Sequence, residues 1–311
     1  MVEGQNGLNW ERWTRIYRLA EKLGFASLFR SDHYFIGEQR DSLDTYVSLA
    51  IAARETTRIS LGPLVSPITF RSPVEMARMA AHIDLLSGGR FVLGMGAGWN
   101  EPEHAAYGIP FPERGERAAR LGEAVQVVRA LWSEAPASFE GRYYRLAGAN
   151  MLPKPGPRRP WLLIGGSGPQ RTLRYAARYA DEWNCVNVPP STYAERVAVL
   201  ERHCADAGRD PRSVRRSMMT FAIVGPDEHS LARSAELAAK HVGRGQYDGK
   251  GLLAAASELG MVHGTTDQVV DQLGRLAELG CGEVQFQHMD FDDDEVPRYL
   301  AEEIAPRVRD L

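Results

Sequence analysis

Three cysteines in 311 residues are too few, and too far apart, to staple a fold. Cys185, Cys204 and Cys281 show neither metal-ligand nor redox-motif spacing, so a disulfide framework and a cysteine-based metal centre are not expected. Reduced thiols fit a cytoplasmic protein. Long apolar runs are missing as well: none approaches the ~18 residues that span a bilayer. The first residues, with Glu3, Gln5, Asn6, Asn9 and Glu11, lack the basic-then-apolar order of a secretory signal. Nor is there an excess of one charge. Lys and Arg number 37 against 40 Asp and Glu, a formal net charge of −3, which leaves no broad basic footprint for nucleic acid or an anionic membrane. Low-complexity tracts and internal repeats are absent. Glu101, Glu103 and His104 stand close together, but no second cluster with ligand spacing accompanies them. No metal is therefore expected, and a solvated loop face is the expected reading.

What the chain does have is 44% hydrophobic residues, enough for one large core, arranged as short apolar runs alternating with helical stripes. Runs at 26–30, 59–65, 90–95, 161–165, 183–188, 217–224 and 283–288 are expected strands. Between them lie stripes such as Trp13, Ile16, Ala20 and Leu23, closed by Gly24, and Leu121, Val125, Val128 and Trp132. Ser72-Pro73-Val74-Glu75 reads as a capping box with proline in the first helical turn. Strand followed by single helix implies parallel pairing with right-handed crossovers. Seven such units fall one short of a closed barrel, and 1–5 can supply a short first strand. The expected fold is a single (β/α)8 barrel over 1–311, with a shortened first strand and insertions on the C-terminal face. Residues 134–160, with Pro153, Pro155, Pro157 and Pro160, are expected to pass over the barrel top, and helical sequence at 228–260 reads as a further insertion. An open doubly wound sheet is the competing architecture.

In such a barrel the chemistry gathers at the C-terminal strand ends. Arg30-Ser31-Asp32-His33-Tyr34 places a carboxylate beside an imidazole, a proton donor–acceptor pair. Neighbours on an extended chain face opposite ways, so one of the two is expected to face the cavity, and His33 is the choice. Gly62-Pro63-Leu64-Val65-Ser66-Pro67 carries two prolines at a strand end, which predicts a broken ladder or a bulge. Gly94, Gly96 and Gly98, with Ala97 among them, superficially resemble a dinucleotide fingerprint. No strong helix is expected directly after them and Pro102 intervenes, so a backbone approach to a ligand is the better reading. Gly165-Gly166-Ser167-Gly168-Pro169 reads as a glycine loop ahead of a helix over 169–180, a site for one phosphate group. Gln285 and Gln287 on a buried strand need partners, and a satisfied core network is expected.

Taken together, these segments resemble the bacterial luciferase-like monooxygenase family, and within it the branch that uses the deazaflavin coenzyme F420. The strings that carry the resemblance are Leu23-Gly24-Phe25-Ala26-Ser27-Leu28-Phe29-Arg30-Ser31-Asp32-His33, residues 61–73, 86–99, and Ile164-Gly165-Gly166-Ser167-Gly168 with Ala180-Asp181-Glu182-Trp183-Asn184 downstream. The resemblance implies an oxidoreductase that binds coenzyme F420, or alternatively FMN, and acts on a small-molecule substrate by hydride transfer, commonly as a homodimer. It implies a proton-transfer role for His33, and its neighbour Asp32, from the residues themselves, is the further catalytic candidate. It also implies a non-proline cis peptide at Leu64–Val65 backing the ring, and cofactor contacts from Leu64, Val65, Ser66, Gly96, Ala97, Gly98, Gly165, Gly166, Ser167, Gly168 and Asn184. Two departures stand out. Relatives carry a few more residues ahead of the position of Met1. The sugar-phosphate dehydrogenases place a catalytic Glu where this chain has Trp99, and Glu101 is the nearby substitute. A flavin-binding barrel without turnover is the reading from another class, and the Asp32-His33 pair speaks against it.

Overall fold

Helix ends fall where the sequence places caps. In the computed structural model, which describes residues 1–38, 42–133, 136–242 and 245–309, α1 (Trp10–Leu23) starts under the Asn9 side chain. It stops at Gly24, whose φ of 77° satisfies the last carbonyls at no steric cost. After β1 (Ser27–Arg30), α2 (Thr45–Glu55) and β2 (Ser60–Pro63), the short β3 (Ser66–Pro67) leads into α3 (Pro73–Ser87). There the reciprocal Ser72–Glu75 capping box is formed. Next come β4 (Val92–Gly96), α4 (Glu101–Ala106), α5 (Arg114–Trp132) and a hairpin of β5 (Ala137–Glu140) and β6 (Arg145–Ala149). These are followed by β7 (Trp161–Gly165), α6 (Thr172–Tyr179), β8 (Glu182–Val186), α7 (Pro190–Asp206) and β9 (Arg215–Phe221). Then β10 (Ile223–Val224), α8 (Glu228–Ala239), α9 (Gly249–Ala255), β11 (His263–Gly264) and α10 (Thr266–Glu278) precede β12 (Glu283–Gln287) and α11 (Glu295–Tyr299).

The long strands pair in parallel. β1 joins β2, and β4, β7, β8, β9 and β12 form one continuous ladder. A Leu61–Phe91 bridge links β2 to the start of β4, and Val2 bridges both Arg30 and His288, closing the circuit as a barrel. The expected first strand over 1–5 thus contributes one bridging residue, Val2. The run at 217–224 divides: β9 ends at Phe221, and β10 turns away to pair with β11. The helix expected from 169 begins at Thr172.

One expectation is corrected outright. Of the segment 134–160, the described residues 136–160 do not cross the barrel top. Strand β4 climbs to the C-terminal face and α5 returns from it, so the hairpin leaves from the opposite, N-terminal end. It lies along α5, where the Glu123 carboxylate accepts from the amides of Arg142, Tyr143 and Tyr144. The insertions on the C-terminal face are α4 with its flanking loops, and the α8–α9 segment. The latter has its own small core of Ile223, Leu231, Ala235, Ala238, Leu252, Ala256 and Met261. The main core fills the shell between ring and helices, while Met1, Phe29, Leu64, Val92, Leu163 and Met219 plug the barrel interior. No helix among the described residues is long and apolar enough to cross a membrane.

Candidate active site

The C-terminal mouth of the barrel opens on a cavity of about 630 Å³, within the range of small-molecule and cofactor sites. His33, Leu64, Val65, Gly96, Ala97, Gly98, Gly165, Gly166, Ser167, Gly168 and Asn184 all line it. Asp32, Ser66 and Glu101 do not. A separate cavity of about 190 Å³ beside α1 is lined mainly by apolar side chains such as Ile16, Leu19, Phe25, Leu28 and Leu300, together with Glu283 and His288, and it includes none of the glycine loops at the C-terminal strand ends. The chemistry is therefore sought at the mouth.

The floor of the mouth is built by one valine and two glycines. The β2 ladder breaks after Pro63, the Leu64–Val65 peptide is cis, and pairing resumes at Ser66 against Met95. Val65 is thereby pressed between β4 and β7. A Cβ on Gly96 would lie 2.5 Å from Val65 Cγ2, and one on Gly165 would lie 2.8 Å from Val65 Cγ1. These two glycines seat Val65; this is the close approach their position requires. Gly98, at φ +81°, packs against Thr69 instead. Beside the floor, the Gly166 amide donates to Asn184 O, whereas the Ser167 and Gly168 amides bond no acceptor among the described residues. Arg114 lines the same cavity, and the Arg171 guanidinium donates to Gly115 O next to it. Unpaired amides on a cavity that a guanidinium also lines have the chemistry to hold an anion.

Of the Asp32–His33 pair, His33 alone faces the cavity, as strand alternation predicts, and the two side chains are not brought together there. Asp32 is buried away from the cavity, where Oδ2 accepts from Ser66 Oγ at 2.6 Å and Arg71 Nη1 at 2.5 Å. Ser66 in turn meets Tyr46 Oη at 2.9 Å, so both residues are spent on a closed structural network. His33 faces the cavity, and its Nδ1 lies 2.8 Å from Oε1 of Glu103. Glu103 Oε2 accepts from the amides of Tyr34 at 2.9 Å and Phe35 at 3.5 Å. An acceptor so placed leaves Nδ1 as donor and Nε2 as the ring nitrogen available to a substrate. Burial opposes a charge on His33, but the Glu103 hydrogen bond and carboxylate outweigh it, holding the pKa above its ordinary 6.5. His241, also on the cavity, is pushed the other way by burial.

Glu101 opens α4 on its exposed side and reaches nothing in the cavity. The expected solvated face is likewise corrected. Glu103 and His104 are 1% and 0% exposed, and His104 is held at both nitrogens, Nδ1 by Asn100 O and Nε2 by Thr69 Oγ1, each at 2.7 Å. Trp99, 60% exposed, forms the rim and meets the His33 ring edge-on at 5.5 Å. Beneath the floor, Asn184 Nδ2 donates to Ser217 Oγ and Gln285 Oε1, and Gln287 donates to Glu3 Oε1. Gln285 thus belongs to a satisfied network, while Gln287 also lines the cavity. Among the described residues no cluster of ligating side chains is arranged for a metal ion.

The model of the luciferase-like monooxygenase family matches residues 2–283. An uncharacterized protein of Mycobacterium tuberculosis is 32% identical over 250 residues, covering 74% of this chain and 86% of that protein. An F420-dependent glucose-6-phosphate dehydrogenase of Microbacterium testaceum is 28% identical over 309 residues, 94% of this chain and 91% of the relative. Among solved structures, an F420-dependent secondary alcohol dehydrogenase in complex with an F420-acetone adduct superposes with a TM-score of 0.81. It shares 23% identity over 99% of both chains, a likeness of fold. With its barrel, its mouth cavity and a family match over nearly all of its length, the chain belongs to the luciferase-like monooxygenase family.

Proposed function

We propose that this protein is a coenzyme F420-dependent oxidoreductase of the cytoplasm that moves a hydride between the deazaflavin and a small organic substrate. The observation that carries the reading is a carboxylate-backed imidazole, His33 on Glu103, on the same cavity as an unpaired-amide corner. Relatives of similar length named as F420-dependent support the cofactor. The residues fit it: Leu64 and Val65 offer a flat backbone floor, and Ser167, Gly168 and Arg114 offer a phosphate corner. When bound, the deazaflavin supplies a two-electron hydride carrier whose reactive ring position is carbon.

The protein then contributes binding and proton management. Ser167 and Gly168 amides hold the anionic tail, and the Val65 bulge fixes the plane against which a ring can lie. His33 Nε2 gives a proton to, or takes one from, the substrate heteroatom as the adjacent carbon gains or loses hydride, so charge balances. Trp99 and Met289 add apolar lining to the same cavity. Val47 and Ile51 of α2, with Val74 and Leu85 of α3, leave apolar side chains exposed on adjoining helices, which supports a homodimer. Parallel titration of the purified protein with coenzyme F420 and FMN tests the cofactor. Saturable binding of the deazaflavin and much weaker binding of FMN is expected. Tight FMN binding with oxygen-consuming turnover would replace the reading by a flavin monooxygenase.

A further inference from the structure

Glu103 lies 70 residues from His33 in the chain and is more buried than any other carboxylate on the cavity wall. Its two oxygens divide their work. Oε1 takes the imidazole, and Oε2 takes the backbone amides of Tyr34 and Phe35, the residues directly following His33. The carboxylate is therefore anchored to the strand exit that carries its own partner. Around it, α4 is pinned to the β4 exit by His104, which bonds Asn100 O and Thr69 Oγ1. Asn100 Nδ2 donates to Phe35 O at 2.8 Å from the same turn. The two loops are cross-tied at each end of the Glu103 carboxylate, so its placement against Nδ1 does not depend on a flexible side chain.

We propose that Glu103 is the positioning residue of this site, fixing His33 in the tautomer that presents Nε2 to the substrate and stabilising the imidazolium formed there. The proposal rests on the proton-handling role of His33 and adds the group that sets it. The charged groups facing His33 come from three elements. Glu103 comes from α4 and Glu3 from the N-terminal segment; Asp32 comes from its own strand end and is itself neutralised by Arg71. Of these three, Glu103 alone bonds the ring; the other two act through space. A carboxylate bonded to one ring nitrogen raises the basicity of the other and removes the freedom to flip. The same residue also satisfies two backbone donors, so its loss has a structural component that the test must separate.

The test uses imidazole NMR titration of the cofactor-free protein, with the His33 signal assigned through His33→Ala among the eight histidines. Glu103→Gln removes the charge and keeps one acceptor oxygen, which suits the Tyr34 and Phe35 amides, while its NH2 then faces Nδ1 and favours the tautomer with the proton on Nε2. Its His33 midpoint is expected to fall by about one unit or more, the scale of a contacting opposite charge. Turnover is expected to fall about 10–100-fold with KM nearly constant, and the pH limb assigned to His33 to move down with the NMR midpoint. Glu103→Asp, with the charge restored on a shorter arm, recovers part of both. If the Gln variant leaves the midpoint and the limb where they were, Glu103 merely ties the loop and the proposal fails. If the midpoint moves but His33→Ala retains full turnover, the reading of His33 fails while the pair itself stands.

Discussion

Gly165→Ala provides the most specific perturbation of the cavity floor. The added Cβ would sit 2.8 and 3.2 Å from the two methyls of Val65, whose other side already faces Gly96 across a gap that would bring a Cβ to within 2.5 Å. Val65 cannot retreat toward β4, because Gly96 is occupied space for it, nor along the chain, because Pro63 and Pro67 bracket it. The contact must be relieved by moving the floor itself. Overpacking of this kind costs about 1–3 kcal/mol. For a barrel of this length that corresponds to a fall in Tm of roughly 2–5 °C. Val65→Ala removes both methyls and costs about 1 kcal/mol by itself, but it vacates the space that the new methyl at position 165 needs. The double variant is therefore expected to be more stable than the sum of the single losses, with a coupling of about 1 kcal/mol or more. Thermal unfolding of the four proteins, followed by circular dichroism, measures the cycle, and cofactor titration of each reads the floor directly. Strict additivity, or a Gly165→Ala variant with unchanged Tm and affinity, would refute the clasp of Val65 by the two glycines.

Other expectations follow from the same geometry. On the proposed role of its ring in proton transfer, His33→Ala should lower kcat far more than cofactor affinity; equal losses in steady-state kinetics and titration would reduce it to a wall of the cavity. Ser167→Ala should weaken cofactor binding by about 1–3 kcal/mol, the scale of a hydrogen bond to a charged group, and an unaltered Kd would remove the phosphate corner. Asp84 is buried at the closed end of the barrel, and burial raises its pKa from 3.8 to about 6 despite the amides of Phe91 and Gly156. The unfolded chain releases this proton at lower pH than the folded one does. Stability is therefore lost as pH rises from about 4 through about 6, and the penalty is complete above that. Asp84→Asn should accordingly raise Tm at pH 7–8, by no more than about 3 kcal/mol equivalent, and give no gain near pH 3. A uniform effect across that range in pH-dependent melts would contradict the assignment.

Much of the framework is legible in the sequence because its signals are local. Strands β4 and β7 are apolar runs closed by glycine, and the Ser72–Glu75 cap lies within four consecutive residues. The prolines at 63 and 67 announce the broken ladder. The glycines are legible as close-approach positions, but not what approaches: Val65 meets Gly96 and Gly165 only after three strands have been laid side by side. The burial of Glu103 and His104 is not legible, because buried polar residues leave no mark on a hydrophobic pattern. Their partners lie at His33 and Thr69, far away in sequence. Sequence adjacency favours Asp32 as the partner of His33, whereas alternation on the strand sends the two side chains to opposite sides. The misplacement of 134–160 has a geometric cause. A segment that follows a helix returning from the C-terminal face starts at the opposite face, and the proline-rich composition says nothing about which face that is.

In the proposed holoenzyme the deazaflavin lies in the mouth cavity, between the Val65 bulge and the His33 ring. A crystal structure of the protein with bound coenzyme F420 tests it most directly. It should show the ring against the Leu64–Val65 backbone, the phosphate on the Ser167 and Gly168 amides, and His33 Nε2 turned toward the substrate side. Cofactor density elsewhere on the barrel, or a ring separated from the Val65 bulge, would rule this placement out.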